Sequence, residues 1–307
     1  MNGGRLGLVF AWHALPWEHL LELVRHADSA GIEAVYVDGD VSMMPKRGDG
    51  DVLDGFTMTT ALLASTGRVG IGSIRLPHHW HTAKLGQAVA TWERLFPGRS
   101  RFLISTGGQP ADARFGLVWR GMTERRAHLD ETLDALRALW RGETVHRDGT
   151  YVKLAAAAVR PTPPPGRPEI EVASGVSPLL QVVARHADRW DMNVPSTPGR
   201  VAKAKAALAE ACAGEGRDPA GIGTQLWVLA RPAGGTASEA LADLRRWYPW
   251  FDHIDDDEAL DSIARGGAAA CQDHLAAIRE SGVDVPLADL TGLDLDAAHH
   301  AIDALCA

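Results

Sequence analysis

Residues 69–105 read VGIGSIRLPHHWHTAKLGQAVATWERLFPGRSRFLIS, and this stretch decides the fold. Val69–Ile74 is a short apolar run of strand length. From Thr82, residues Leu85, Ala88, Val89, Trp92 and Leu95 recur at helical spacing, so one face of a helix is apolar. Phe102–Ser105 is again a short apolar run. A strand, a helix and a strand in succession describe a crossover between parallel neighbours, and such crossovers are right-handed.

Outward from this unit the rhythm repeats. Upstream lie the run Leu6–Ala11 and a helix from about Pro16, with Leu20, Leu21, Val24 and Ala27 on one face. Gly31 caps that helix, Ala34–Val37 is the next strand, and a Gly- and Asp-rich loop leads to a helix over Thr57–Ser65. Downstream, Leu129, Leu133, Leu136 and Trp140 mark a helix, followed by strands at Ile170–Ala173, Trp190–Val194, Thr224–Ala230 and Val285–Leu290. Helices over Pro178–Ala187, Arg200–Ala213, Ser238–Trp247, Cys271–Ser281 and Asp294–Leu305 alternate with them. Eight strands, nearly all followed by a helix, predict an α/β fold: a (β/α)8 TIM barrel forming one domain over residues 1–307. A doubly wound dinucleotide fold would need Gly-x-Gly-x-x-Gly after the first strand, where Ala11-Trp12-His13-Ala14-Leu15-Pro16 stands instead. Two insertions interrupt the rhythm. Thr144–Val152 reads as a hairpin with a tight Asp148-Gly149 turn, and the proline-rich residues 160–168 read as a rigid approach to the fifth strand.

Composition narrows the function classes. The formal net charge is −8 over 307 residues, so no basic face suits a phosphate backbone, and nucleic acid is not an expected partner. No uncharged apolar stretch reaches the roughly 20 residues that span a bilayer, so no membrane partner is expected. The N-terminus lacks the flanks of a signal peptide. Cys212, Cys271 and Cys306 are isolated, which fits a reducing cytoplasm rather than a disulfide or zinc framework.

In such a barrel the functional groups gather at the C-terminal ends of the strands. Trp12 and His13 follow the first strand, as a substrate wall and a proton-exchanging imidazole, or as a core cap and a solvated histidine. Asp38 ends the second strand, where a carboxylate orients cofactor or substrate hydroxyls or simply braces a turn. His78, His79 and His81 lack a further ligand at fixed spacing, so no metal is assigned, and His79 is read as a contact to substrate or cofactor. Thr106 and Gln109 offer polar groups beside Gly107, whose bare backbone admits a flat ring. Ser174 and Gly175 precede a helix expected from about Pro178, whose N–H groups suit a phosphate; an ordinary serine cap is the alternative. Asn193 and Arg231 end the sixth and seventh strands on the substrate side. Trp247, Tyr248, Trp250 and Phe251 form an aromatic cluster that packs either a lid or a dimer contact.

Several segments, in order over residues 5–194, resemble the luciferase-like monooxygenase family. They are Ala27–Gly31 with Val35–Asp38, Arg68–Ile74, Thr82–Lys84 through Thr91 to Pro97–Arg99, Arg125 with Leu129–Leu133 and Leu139–Glu143, then Ala173–Pro178 and Ala184–Trp190. Trp92-Glu93, Phe96-Pro97 and Arg189 depart from the family pattern. Gly39 and Gly108 stand where the family's sugar-phosphate dehydrogenases carry a histidine and an acid, which argues against that activity. The resemblance implies a small-molecule substrate and an oxidoreductase, with flavin-dependent monooxygenase as the broader label. It implies reduced FMN with dioxygen, or coenzyme F420 for hydride transfer. It also implies a homodimer and a separate flavin or deazaflavin reductase. The family often carries a non-prolyl cis peptide at the position of Ser73-Ile74, set against the cofactor ring, and holds the cofactor phosphate near Ser174-Gly175. His13, Asp38 and His79 are then the candidate proton-handling residues. A barrel that has lost its cofactor and serves as a partner subunit is a third reading.

Overall fold

The computed structural model describes residues 5–10, 15–39, 52–107 and 110–307. In chain order the elements are β1 (Gly7–Phe10), α1 (Trp17–Ala30), β2 (Ala34–Val37), α2 (Gly55–Ser65), β3 (Gly70–Arg75), α3 (Thr82–Leu95) and β4 (Ser100–Ile104). They continue with α4 (Met122–Trp140), β5 (Val145–Asp148), β6 (Lys153–Ala157), β7 (Ile170–Ser174), α5 (Leu180–His186), β8 (Arg189–Met192) and α6 (Pro198–Glu215). The last are β9 (Gly223–Arg231), α7 (Ala237–Trp247), α8 (Asp256–Asp261), β10 (Ala264–Arg265), α9 (Ala268–Glu280), β11 (Val285–Asp289) and α10 (Leu295–Cys306).

Eight strands close into a parallel barrel in the order β1-β2-β3-β4-β7-β8-β9-β11, with β11 pairing back onto β1. These are the eight strands expected from the alternation. The helices form the outer ring because each buries one stripe. In α1, Leu20, Leu23, Val24 and Ala27 face the strands, and Gly31 ends the helix at φ 82°, a left-handed cap that costs glycine little. Polar caps set other starts: Asp54 accepts from the Thr57 N–H and Asp294 from the Ala297 N–H.

Two expectations shift. The hairpin β5–β6 is present, but its turn spans four residues closed by the Gly149 N–H to the Val152 carbonyl, not a two-residue turn at Asp148-Gly149. Glu131 of α4 fastens it by accepting from the Tyr151 and Val152 N–H groups at 2.8 and 2.9 Å. The irregular stretch after α7 contains the short helix α8 and the strand β10, neither of which was expected.

The barrel interior is polar through its middle. The Tyr36 hydroxyl donates to Glu171 at 2.6 Å, and Gln225 donates to Glu171 at 3.4 Å and to Asp191 at 3.3 Å. Arg101 and Arg189 approach the other Glu171 oxygen at 4.0 and 3.9 Å. Gly72 makes room for this arrangement, since a Cβ there would stand 2.9 Å from the Tyr36 ring. Above this layer Val9, Leu103 and Leu287 are fully buried and pack with Ile74, Ala173 and Trp227.

Candidate active site

Parallel strands direct all their C-terminal ends to one mouth, and a cavity of about 530 Å³ opens there. Clefts of about 510 and 550 Å³ lie elsewhere, one between α4, the hairpin and α5, the other beside the start of α10. Volume therefore does not single out the mouth; its lining does. Only the mouth cavity among these three gathers residues from β2, β3, β4, β7, β8 and β9. Its walls are largely apolar, with Leu76, Leu103, Met192 and Val194 set among a few polar groups.

Seven of the residues singled out in the sequence meet at this cavity: Asp38, Ile74, Thr106, Gly107, Ser174, Gly175 and Asn193. Gly107 has a φ of +74°, and a Cβ on Gly175 would stand 3.0 Å from the Asn193 carbonyl oxygen. At both positions the backbone itself forms the surface. Trp12, His13 and Gln109 lie outside the described residues.

Other candidates are placed differently. Ser73 is buried behind the wall, sharing a 2.6 Å hydrogen bond with Thr59 and donating to the Gly55 carbonyl. The cis peptides among the described residues precede Pro161 and Pro168, so the Ser73–Ile74 bond, a position where the family often carries a cis peptide, is trans. His79 ends a single 3-10 turn, Pro77–His79, and lines a neighbouring cleft with Asp54, Arg75 and Trp80. Arg231 is buried and turned away from the cavity. It pairs with Asp243 at 2.8 Å and donates to the Thr291 carbonyl at 2.7 Å, so it ties strand ends together rather than facing substrate. Ser174 lines the cavity, but its hydroxyl oxygen receives the Trp190 indole N–H at 3.0 Å. The helix after it begins at Leu180, not Pro178, and has only seven residues, so a strong helix-end field is not available to a phosphate there. Gly175 and Ser177 remain as backbone and hydroxyl contacts.

Two features escaped the sequence reading. Asp191, on β8, lies in the cavity floor, where its Oδ2 accepts from the Trp227 indole at 2.9 Å and from Gln225. Burial pushes its pKa from 3.8 up to about 7, against those two hydrogen bonds, which favour the carboxylate; Glu171 adds to the rise. Trp227 itself, on β9, is the second feature. The aromatic cluster, read from the sequence as either a lid or a dimer contact, packs at the cavity: Tyr248, Trp250 and Phe251 form one wall of it with Pro249. The Tyr248 hydroxyl anchors this wall by donating to Asp289 at 2.5 Å. The polar series Arg189, Asp191, Asn193 at every second residue was the available signal for Asp191.

Fold and site together define a barrel protein with a ligand cavity at the C-terminal mouth. A model of the family described as luciferase-like monooxygenase matches residues 5–281, and the chain belongs to that family. It is 28% identical over 254 residues to an F420-dependent glucose-6-phosphate dehydrogenase of Mycobacterium leprae, covering 80% of this chain and 74% of the relative. The counterpart from Nocardia farcinica is 30% identical over 240 residues, covering 75% and 69%. Two further dehydrogenases of that name match over only 52 and 53% of their length. Among solved structures, an F420-dependent secondary alcohol dehydrogenase in complex with an F420-acetone adduct superposes with a TM-score of 0.82. That pair is 18% identical and covers 98% of this chain and 99% of the other. A monooxygenase from Streptomyces bottropensis gives 0.78 at 21% identity, covering 98 and 97%. The barrel fold and the oxidoreductase class expected from the sequence both stand. Among the described residues, no helix is long and apolar enough to cross a membrane.

Proposed function

We propose that this chain, read as one barrel domain, is a deazaflavin-dependent oxidoreductase that moves hydride to or from a small uncharged alcohol or carbonyl compound. The observation that carries this reading is the lining of the mouth cavity. Among the described residues it holds two carboxyl side chains, Asp38 and Asp191, and no lysine, arginine or histidine. A phosphorylated sugar would need cationic partners there. The lining and Gly39 both weigh against the sugar-phosphate activity named for the relatives in sequence, while those names support the cofactor class. Flavin monooxygenase remains the second reading, supported by the family description and by the monooxygenase of like fold.

A flat ring system with polar edges fits the site. Ile74, Leu76, Leu103 and Ala173 offer apolar faces, Gly107 and Gly175 let the ring or its chain approach the backbone, and Ser105, Thr106 and Asn193 supply hydrogen-bonding groups. When bound, the deazaflavin supplies the hydride chemistry. The chain's own part is to orient the reactants, exclude water and handle one proton. Trp250 and Phe251, held over the cavity by Tyr248, serve the exclusion. We also infer a cytoplasmic homodimer served by a separate reductase, as the family resemblance implies. Sedimentation showing a monomer at micromolar concentration would remove the dimer.

The test is spectroscopic. Purified protein titrated with coenzyme F420 should bind it and bleach it on addition of a secondary alcohol. Binding of FMN but not F420, with oxygen uptake when reduced flavin is supplied, would instead establish the monooxygenase. Gly175→Asp should weaken cofactor binding at least about tenfold, because a side chain would meet the Asn193 carbonyl and fill the space that the bare backbone leaves. Unchanged affinity in the folded variant would place the cofactor elsewhere.

A further inference from the structure

We propose that Asp191 is the catalytic acid–base of the cavity, exchanging one proton through its Oδ1 with the oxygen of the substrate bound above it. This rests on the reading of the mouth as a hydride-transfer site. Hydride leaving a carbinol carbon leaves its hydroxyl oxygen one proton in excess, and that proton needs an acceptor. In the oxidative direction the substrate O–H bond breaks and its proton bonds to Asp191 Oδ1. The C–H electron pair leaves as hydride to the deazaflavin, and the carbonyl double bond forms. Reduction reverses each change.

Geometry selects Asp191. Its Oδ2 is held by two donors from β9, Trp227 at 2.9 Å and Gln225 at 3.3 Å. These fix the carboxyl plane, and both hydrogen bonds of the Asp191 carboxyl among the described residues fall on Oδ2, which leaves Oδ1 for the cavity that Asp191 lines. The other ionisable or hydroxylic groups there are less suited, and Asp38, the second carboxyl of the lining, sits at the rim at the end of β2 with a partner of its own, not in the floor. Tyr248 donates to Asp289, Ser174 serves Trp190, and the Ser105 hydroxyl donates to the Ala173 carbonyl at 2.8 Å. His79 lines a different cleft. Among charged and titratable groups, Glu171 from β7 and Arg189 on its own strand act on Asp191, with Tyr36 of β2 and Arg101 of β4 set in turn against Glu171. Glu171 opposes ionisation of Asp191 and Arg189 favours it. Burial keeps the acid protonated into the neutral range, where donating and accepting are both accessible.

The decisive comparison is wild type against Asp191→Asn, which keeps an acceptor for Trp227 and the same volume. Without any ligand, the melting-temperature difference between variant and wild type should shift in the variant's favour from pH 5 to pH 8. The folded wild type loses a proton over that interval that its unfolded chain has already lost, and asparagine does not. A flat difference overturns the titration at Asp191. Calorimetric F420 binding at pH 7.5, in buffers of unequal ionisation enthalpy, should show proton uptake in the wild type and less in the variant, at affinities within a few-fold. Equal uptake in both overturns the link between Asp191 and the ligand. Single-turnover bleaching of F420 by propan-2-ol should fall about 10²- to 10⁴-fold in Asp191→Asn, with partial recovery in Asp191→Glu. Full activity in Asp191→Asn overturns the proposal. Failure of F420 to bind either protein defeats the cofactor reading alone, and the ligand-free melting profile still decides the titration.

Discussion

At Gly39 one missing methyl group decides how the rim is built. A Cβ there would stand 2.0 Å from the Ile74 carbonyl oxygen, and one on Gly55 would stand 2.7 Å from the Asp38 carbonyl oxygen. The ends of β2 and β3 and the start of α2 therefore meet backbone to backbone, which presents Asp38 and Ile74 to the cavity. Gly39→Ala should destabilise the fold by about 2–3 kcal/mol, because backbone rather than a flexible side chain must move. Urea denaturation reads this directly, and an unchanged midpoint would show that the three segments part freely. The sequence marked Gly39 as a departure from relatives without revealing the reason, since the Ile74 carbonyl is 35 positions away. Asp191 was hidden for a related reason. Along β8 the alternation of Arg189, Asp191 and Asn193 is readable, but which face is inside depends on barrel closure, and one short strand does not show that.

Element types were more legible than their ends. The periodic helices and the eight apolar runs were read correctly because burial on one or both faces imposes the pattern. The stretch after α7 was legible only as an aromatic cluster. Asp255 is the cap of α8, accepting from the Glu258 N–H, with Asp256, Asp257 and Glu258 in the favoured first turn. Helix α7 positions the cavity wall. Thr236 and Glu239 form a reciprocal capping box at its start, and its Leu244 and Trp247 share an apolar cluster with Tyr248 and Phe251. Thr236→Ala should cost about 1 kcal/mol and act locally. Hydrogen exchange should quicken across residues 237–251 while β1–β4 keep their protection. Equal exchange in α7 before and after the substitution would show that packing alone holds the wall.

Across the whole molecule, the barrel gathers charges from strands far apart in the chain around one buried carboxyl, Glu171, with one partner 70 positions away and another 18. Arg189, which replaces the family's glycine, and Arg101 flank Glu171 at 3.9 and 4.0 Å inside the barrel, below the cavity floor. The sequence exposed the replacement but not its partner. Burial is the main reason that the pKa of Glu171 is raised, with Arg101, the Tyr36 hydrogen bond and Arg189 limiting the rise. A raised folded pKa means the native barrel holds a proton that the unfolded chain has released. That contribution is fully present below the ordinary carboxyl range and is lost as pH rises toward the folded value. Arg189→Ala removes one of the groups that favour the carboxylate, so the loss deepens. The variant should be destabilised by about 3 kcal/mol at pH 8, as expected when one partner of a buried pair is removed, and by less at pH 5, where Glu171 is protonated more readily. Adding Glu171→Gln should recover much of the loss at pH 8, because no buried charge is then left without its partner. Urea denaturation of the three proteins at pH 5, 6.5 and 8 measures this. A penalty for Arg189→Ala that is the same at every pH, and that Glu171→Gln does not relieve, would mean that Arg189 contributes by packing its side-chain stem rather than by its charge.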